Sequence, residues 1–137
     1  MIGIWGNYSS TFLFWFPVLI LIVFALPMLF VPLVWAKIIG FTLPDETDLA
    51  VYYGRSLGVA AIGICVMCFV ASELPAAQPA VIDGLIVIAA LYVVTHIHGA
   101  IMKIQPLIET LEIGFWIALF CVLLAVYPVG SGAGLFG

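Results

Sequence analysis

A continuous apolar segment from Thr11 to Ala36 constrains the fold more than any other part of the chain. At about 1.5 Å per residue, a helix of this length exceeds a hydrocarbon core of about 30 Å, so it would cross a bilayer with some tilt or bend. It is too long for the apolar region of a signal peptide, and no positively charged stretch precedes it. The sequence therefore predicts a first, retained membrane span, TM1 (about 11–36).

Three prolines, Pro17, Pro27 and Pro32, interrupt TM1. Each removes a backbone donor, which predicts a curved or kinked helix. The carbonyls freed in this way are satisfied by neighbouring helices and local adjustments, or else a cavity lies beside the kink.

The composition of the whole chain extends the same argument. Of 137 residues, 66% are hydrophobic and 7% are charged, whereas soluble domains carry about 25% charged residues. Three more apolar segments predict TM2 (about 49–71), TM3 (about 79–98) and TM4 (about 106–127). The predicted fold class is all-α, an integral membrane four-transmembrane-helix bundle with a single domain over residues 1–137.

The few basic residues predict the orientation of these spans. Lys37 and Arg55 flank the loop between TM1 and TM2, and Lys103 lies between TM3 and TM4. The positive-inside rule then places both loops in the cytoplasm and both termini outside. We expect a multi-pass protein of the inner or plasma membrane, in a bacterial host. Because no basic run is present, nucleic acid is not an expected partner.

Ionisable residues concentrate at the cytoplasmic ends of TM2, TM3 and TM4. Such groups usually face the bundle interior and pair with one another. We predict a polar binding pocket formed by the deepest of them, Arg55, His96 and Glu112. The others are predicted to be interfacial: His98, Lys103 and Glu109. The alternative is a set of structural pairs that fixes helix packing.

Spacing along the chain argues against several kinds of site. His96 and His98 are two residues apart, which separates them by roughly 200° around a helix. The histidines and glutamates match neither His-x3-His nor Glu-x-x-His, so we predict no metal site. The sequence shows no complete catalytic set, and it favours a protein without catalytic activity of its own.

The three cysteines, Cys65, Cys68 and Cys121, lie in apolar runs. A Cys-x-x-Cys pair near a membrane surface would suit thiol–quinone redox chemistry. The surroundings lack the electropositive, accessible setting that activates a thiolate. We therefore interpret these cysteines as small packing residues.

The N-terminal part of TM2 carries closely spaced small residues. Gly54 and Gly58 are four apart, a spacing that lets helices approach closely, and we expect them to pack TM2 within the monomer. The stretch Tyr53-Gly54-Arg55-Ser56-Leu57-Gly58 resembles DoxX-like small four-helix membrane proteins, and the similarity extends over about Val51 to Tyr127. Arg55 and Gly58 are the positions that carry over. The resemblance implies a four-helix fold and, as in some members, a small membrane subunit of a quinone-linked oxidoreductase.

Three functions follow as hypotheses. The first is a small accessory subunit that stabilises or docks a larger membrane complex. The second is a quinone- or lipid-binding membrane protein linked to redox chemistry, with a bound lipid or quinone as its ligand. The third is a small oligomeric transporter or channel. Membrane lipids, and either other membrane subunits or further copies of this chain, are the expected partners.

Overall fold

The structure, a computed structural model, describes residues 2–129 and 134–136. Every regular element in these residues is helical and none is a strand, which confirms the predicted all-α class. Four helical stretches are long and apolar enough to cross a membrane, as many as the sequence predicted: Gly6–Phe30, Asp48–Glu73, Pro75–Met102 and Leu107–Ala125.

Six α-helices are numbered here in chain order. They are α1 (Ser9–Ile20), α2 (Leu26–Phe30), α3 (Pro32–Ile38), α4 (Asp48–Glu73), α5 (Gln78–Met102) and α6 (Leu107–Ala125). A π-helix, Leu21–Ala25, joins α1 to α2, and 3-10 turns at Gly6–Tyr8 and Pro75–Ala77 precede α1 and α5. Helices α4, α5 and α6 correspond to TM2, TM3 and TM4, and α5 continues one turn beyond the predicted end of TM3.

The segment predicted as TM1 is not one helix. Its helical path breaks at Val31, whose backbone angles are φ −135° and ψ 51°. Proline disfavours the helical conformation in the residue before it, which explains the break directly ahead of Pro32. Pro32 then opens α3, because the first turn of a helix needs no backbone donor there. Pro32 thus divides the segment, whereas Pro17 and Pro27 lie within α1 and α2.

Helix α3 turns back alongside the helix that precedes it. The indole nitrogen of Trp35 donates to the carbonyl oxygen of Val23 at 2.8 Å, although twelve residues would span about 18 Å along a straight helix. In an α-helix the carbonyl of Val23 would accept from residue 27, and Pro27 has no N–H to give. The Trp35 side chain therefore satisfies a carbonyl that a proline has freed.

Two glycines let α4 approach this broken segment. A Cβ atom on Gly58 would lie 2.7 Å from the backbone nitrogen of Leu29 and 2.9 Å from the carbonyl oxygen of Ala25. A Cβ on Gly54 would lie 2.6 Å from Cβ of Pro32. Both glycines are buried, so the small-residue spacing of α4 lies at a contact between helices of the same chain.

The closely packed core occupies one half of the bundle, which we call the packed half. It lies where α1 meets the C-terminal half of α4, the N-terminal half of α5 and the C-terminal end of α6. Its buried members include Leu13, Cys68, Ala71, Ile82, Leu85, Ala89, Leu123 and Tyr127. At the end of this half, the hydroxyl of Ser9 donates a hydrogen bond to the carbonyl oxygen of Val126 at 2.6 Å, which links the start of α1 to the end of α6.

Candidate functional site

The turn between α5 and α6 sets the positions of the ionisable side chains. Helix α5 ends at Met102, and the next residue, Lys103, adopts a left-handed conformation with φ 55°. The side-chain nitrogen of Gln105 then donates to the carbonyl oxygen of His96 at 3.0 Å and to the hydroxyl of Thr110 at 3.1 Å. Gln105 packs so closely on Gly99 that a Cβ there would collide with it. The amide thus ties the end of α5 to the start of α6.

His96 is held in one orientation by its own helix. It is 4% exposed, and its Nδ1 lies 2.7 Å from the carbonyl oxygen of Tyr92, one turn earlier. A carbonyl oxygen can only accept a hydrogen bond, so Nδ1 carries the proton of this contact. In the neutral ring Nε2 is then the unprotonated nitrogen, with its lone pair directed away from α5.

Two carboxylates of α6 face that nitrogen. Nε2 of His96 lies 3.1 Å from Oε2 of Glu109 and 3.6 Å from Oε2 of Glu112. The glutamates are three residues apart and therefore share one face of α6. Within the described residues Nε2 makes no hydrogen bond.

Two aromatic side chains extend this cluster toward the middle of the bundle. Tyr92 and Trp116 stack with their ring centroids 4.2 Å apart and their planes 6° apart. The indole nitrogen of Trp116 is buried, and no described residue accepts its hydrogen bond. A second polar atom without a partner therefore lies close to His96.

The cluster forms one end of a cleft of about 650 Å³ between the helices. Ligand pockets in proteins typically measure about 300–1,000 Å³ and are mostly apolar with a few polar groups. We call the half of the bundle around this space the cleft half. Apart from His96, Glu109 and Glu112, the cleft is lined by Phe16, Ile20, Val23, Phe24, Met28, Trp35, Ala36, Ile39, Phe41, Leu57, Ala60, Ala61, Ile64, Leu85, Ile88, Tyr92, Phe115, Trp116 and Leu119.

The cleft lies beside the broken first segment. Phe24 belongs to the π-helix, Met28 to α2 and Trp35 to α3, and all three line it. The sequence left two possibilities for the backbone carbonyls that the prolines free: neighbouring groups accept the role of donor, or a cavity lies beside the kink. The structure shows both, because the Trp35 side chain donates to the carbonyl of Val23 and the cleft lies next to the break. Single-turn π-helices are frequent at functional sites.

The structure brings together only part of the predicted Arg55–His96–Glu112 pocket. His96 and Glu112 approach each other, and Glu109, which we predicted to be interfacial, lies nearer to His96 than Glu112 does. The physical reason is that Glu109 and Glu112 lie on the same face of α6. A rotation of the helix that directs Glu112 toward the bundle interior therefore directs Glu109 there as well. Glu109 therefore belongs to the same cluster as His96 and Glu112, and its position relative to the membrane interface stays a prediction.

Arg55 does not join this pair. It is exposed, lines a separate groove with Asp48, Tyr52 and Ser56, and forms no ion pair with any described residue. The cleft-facing residues of α4 include Leu57, and Arg55 lies two positions before it, roughly 200° around the helix. Arg55 shares an end of the bundle with His96 but points elsewhere.

The remaining predicted residues have simpler surroundings. His98 is exposed while His96 is buried, which agrees with their separation around α5, and Lys103 is exposed at the turn. Cys65 and Cys68 are buried, Cys121 is exposed, and all three are free thiols. Sγ of Cys65 lies 3.7 Å from the carbonyl oxygen of Pro17, at the contact between α4 and α1.

Sequence analysis overlooked the aromatic part of the site. Tyr92 lies four residues before His96 on α5, and Trp116 lies four residues after Glu112 on α6. Residues four apart are neighbours on a helix surface, so this spacing was a usable signal. It would have placed one aromatic ring beside each ionisable side chain.

Comparisons of the chain with protein-family models, with curated proteins and with solved structures found no match.

Proposed function

We propose that this chain is a multi-pass membrane protein that binds an amphipathic, lipid-soluble molecule in the cleft. Isoprenoid quinones and lipids with a compact polar head belong to this class, and a quinone would link the protein to redox chemistry. The observation that carries the proposal is the combination of a cleft of about 650 Å³ with an ionisable cluster at one end only.

The chemistry of the two ends of the cleft matches the two parts of such a ligand. The wall from Phe16 and Ile20 to Ile64 is hydrocarbon, which suits an acyl or isoprenoid chain. At the other end, the glutamates accept hydrogen bonds and the Trp116 indole can donate one. A carbonyl or hydroxyl head group would meet partners there, whereas a purely apolar ligand would leave them unpaired.

The membrane assignment is supported by the outer surface and by the distribution of charge. The four candidate spans expose large apolar side chains, among them Phe30, Ile101 and Leu107, each more than two thirds exposed. Lys37, near the end of α3, and Lys103, directly after α5, lie toward the end of the bundle that holds the ionisable cluster, since Gly40 lies beside Pro106. By the positive-inside rule that end is cytoplasmic and both termini are outside, so a ligand head would lie toward the inner leaflet.

Purification of the full chain in a gentle detergent, followed by solvent extraction and mass spectrometry, tests this proposal. Ala60→Phe places a ring in the cleft, because Ala60 lines it. Gly63→Phe is the matched control on the same helix, since no atom lies within 4 Å of a Cβ placed there. We expect the wild-type chain and the Gly63→Phe variant to carry a defined lipid-soluble molecule in near-equal amounts, and the Ala60→Phe variant to lose most of it.

Equal retention by the two variants would place the molecule outside the cleft and refute the proposal. Wild-type protein that carries only bulk lipid in proportion to the detergent would refute it as well. Thermal melts of all three proteins separate loss of ligand from loss of folding.

The accessory-subunit and transporter functions remain predictions. The same purification bears on both of them. Stoichiometric co-purification of larger membrane subunits would support an accessory role, and a ring-shaped assembly of this chain with a water-filled centre would support transport.

A further inference from the structure

We propose that His96, Glu109 and Glu112 bind a divalent transition-metal ion of the Zn²⁺ type, each through one side-chain atom. The three candidate ligand atoms all lie within 4.8 Å of one another. These atoms come from α5 and α6, which are joined by the turn that Gln105 holds through its hydrogen bonds. Their arrangement therefore depends on the packing of α5 against α6, and a sequence motif within one helix does not describe it. This site shares its residues with the polar end of the cleft, and its test is separate from that of the cleft ligand.

The orientation of His96 is that of a metal ligand. Histidines that bind metals almost always donate their other ring N–H to a carboxylate, a backbone carbonyl or water, which fixes the tautomer and the ring. Nδ1 of His96 meets the carbonyl oxygen of Tyr92 in this way at 2.7 Å. In the neutral ring Nε2 is then a buried lone pair; it makes no hydrogen bond among the described residues and faces two carboxylates.

The distances suit an ion placed between the three side chains. Two ligands bound at about 2.1 Å to a tetrahedral ion lie roughly 3.4 Å apart. The separations of Nε2 from the two carboxylate oxygens, 3.1 and 3.6 Å, bracket that value. Small side-chain movements would therefore complete three coordination positions and leave the remainder facing the cleft.

The charge of the cluster calls for a cation. If the imidazole is neutral, its Nε2 and the two carboxylates offer one another only acceptors, and among the described residues no lysine or arginine lines the cleft. Partly buried carboxylates require a compensating charge. A divalent cation would balance both glutamates. Imidazole and carboxylate ligands suit Zn²⁺, Mn²⁺ and Fe²⁺, whereas Cu⁺ prefers thiolate or thioether ligands.

Metal titration of the full chain tests this site. The protein is purified without a polyhistidine tag, stripped with a chelator, and titrated with Zn²⁺ alone and then with Co²⁺, whose visible spectrum reports the ligand set. We expect one Zn²⁺ per chain. The His96→Gln variant and the Glu109→Gln/Glu112→Gln double variant should raise the Zn²⁺ dissociation constant by about 10-fold or more.

Two exposed side chains, one on α5 and one on α4, provide controls. His98→Gln changes an exposed histidine of α5, and Glu73→Gln changes an exposed carboxylate at the end of α4. Neither should alter the affinity or the Co²⁺ spectrum. Because glutamine keeps the approximate size of each replaced side chain, thermal melts of the metal-free proteins should show that every variant still folds.

Several results would overturn the metal site. One is wild-type protein that takes up no stoichiometric Zn²⁺. Another is a His98→Gln variant that weakens binding as much as His96→Gln does. A third is nitrogen-15 NMR showing His96 as an imidazolium that persists with excess Zn²⁺, which would make the cluster an ion pair. Extraction of lipid-soluble ligand from the same samples shows separately whether the cleft proposal holds.

Discussion

The two halves of this bundle use polar groups in opposite ways. In the packed half, Ser9 donates to the Val126 carbonyl at 2.6 Å, and the amide of Gln78 donates to the hydroxyl of Ser10 at 2.8 Å. In the cleft half, His96 faces two carboxylates without a hydrogen bond at Nε2 among the described residues. These polar groups of the first half fasten helix ends, whereas the cluster of His96, Glu109 and Glu112 in the second half borders a cavity.

The difference predicts how much a side chain in each half contributes to the free energy of unfolding. A core without voids contributes dispersion contacts on every side of each side chain. A wall residue of a cleft lacks neighbours on one side, so it contributes less to the free energy of unfolding. Buried polar groups left without partners inside a protein call for an explanation, and ligand binding is a physical one.

Truncation of a leucine in each half gives the largest expected contrast. Leu123 is fully buried in the packed half, and Leu57, 39% exposed, lines the cleft. Leu123→Ala should lower the free energy of unfolding by about 2–5 kcal/mol because it creates a cavity in a filled core. Leu57→Ala should cost about 1 kcal/mol or less because it only enlarges a space that already exists. Reversible denaturation in detergent micelles measures both, and equal losses would remove the distinction between the halves.

A smaller effect is expected where the cleft half is tightly packed. Gly58 meets backbone atoms of Leu29 and Ala25, which cannot move aside as a flexible side chain would. Gly58→Ala should therefore destabilise the protein by about 1–3 kcal/mol through overpacking. The same change at Gly63, where a Cβ meets nothing within 4 Å, should stabilise it by up to about 1 kcal/mol through helix propensity.

This pair of glycine variants sharpens the comparison. It asks whether the cleft is framed by rigid helix contacts or is a loosely packed region. If Gly58→Ala and Gly63→Ala change the free energy of unfolding by the same amount, the contact of Gly58 with Ala25 and Leu29 is not a rigid helix contact, and it does not fix the position of α4 beside the cleft.

The sequence was sufficient for the helical class and the number of candidate spans, because apolar runs of this length allow few alternatives. It was not sufficient for the path of the first segment. Prolines predict disruption, but the direction of α3 depends on Trp35 reaching Val23, a contact between residues twelve apart. Local propensity carries no information on such a contact.

The sequence was sufficient to predict how far along its helix each ionisable side chain of the site lies. Counting from helix ends placed His96 and Glu112 at the same level, and they do meet. Rotation about each helix axis was the missing quantity, because an apolar helix shows no preferred face. That is why Arg55 was included and Glu109 was left out, although the three-residue spacing of the glutamates already implied that they act together.

Replacement of Trp35 has the smallest expected effect on the free energy of unfolding. It tests whether the hydrogen bond from Trp35 to the Val23 carbonyl holds α3 in the position that forms one wall of the cleft. Trp35→Phe keeps an aromatic ring in the wall but removes the donor that serves the Val23 carbonyl. We expect a loss of about 0.5–1 kcal/mol in unfolding free energy, and faster hydrogen exchange of the α3 amides, because this contact holds the turned-back helix. Trp15→Phe, at a tryptophan 63% exposed on α1, should change either quantity little. If both variants exchange at the wild-type rate over residues 32–38, the contacts of α3 with α4 hold α3 in place, and the cleft depends on Pro32 lying against Gly54 rather than on Trp35.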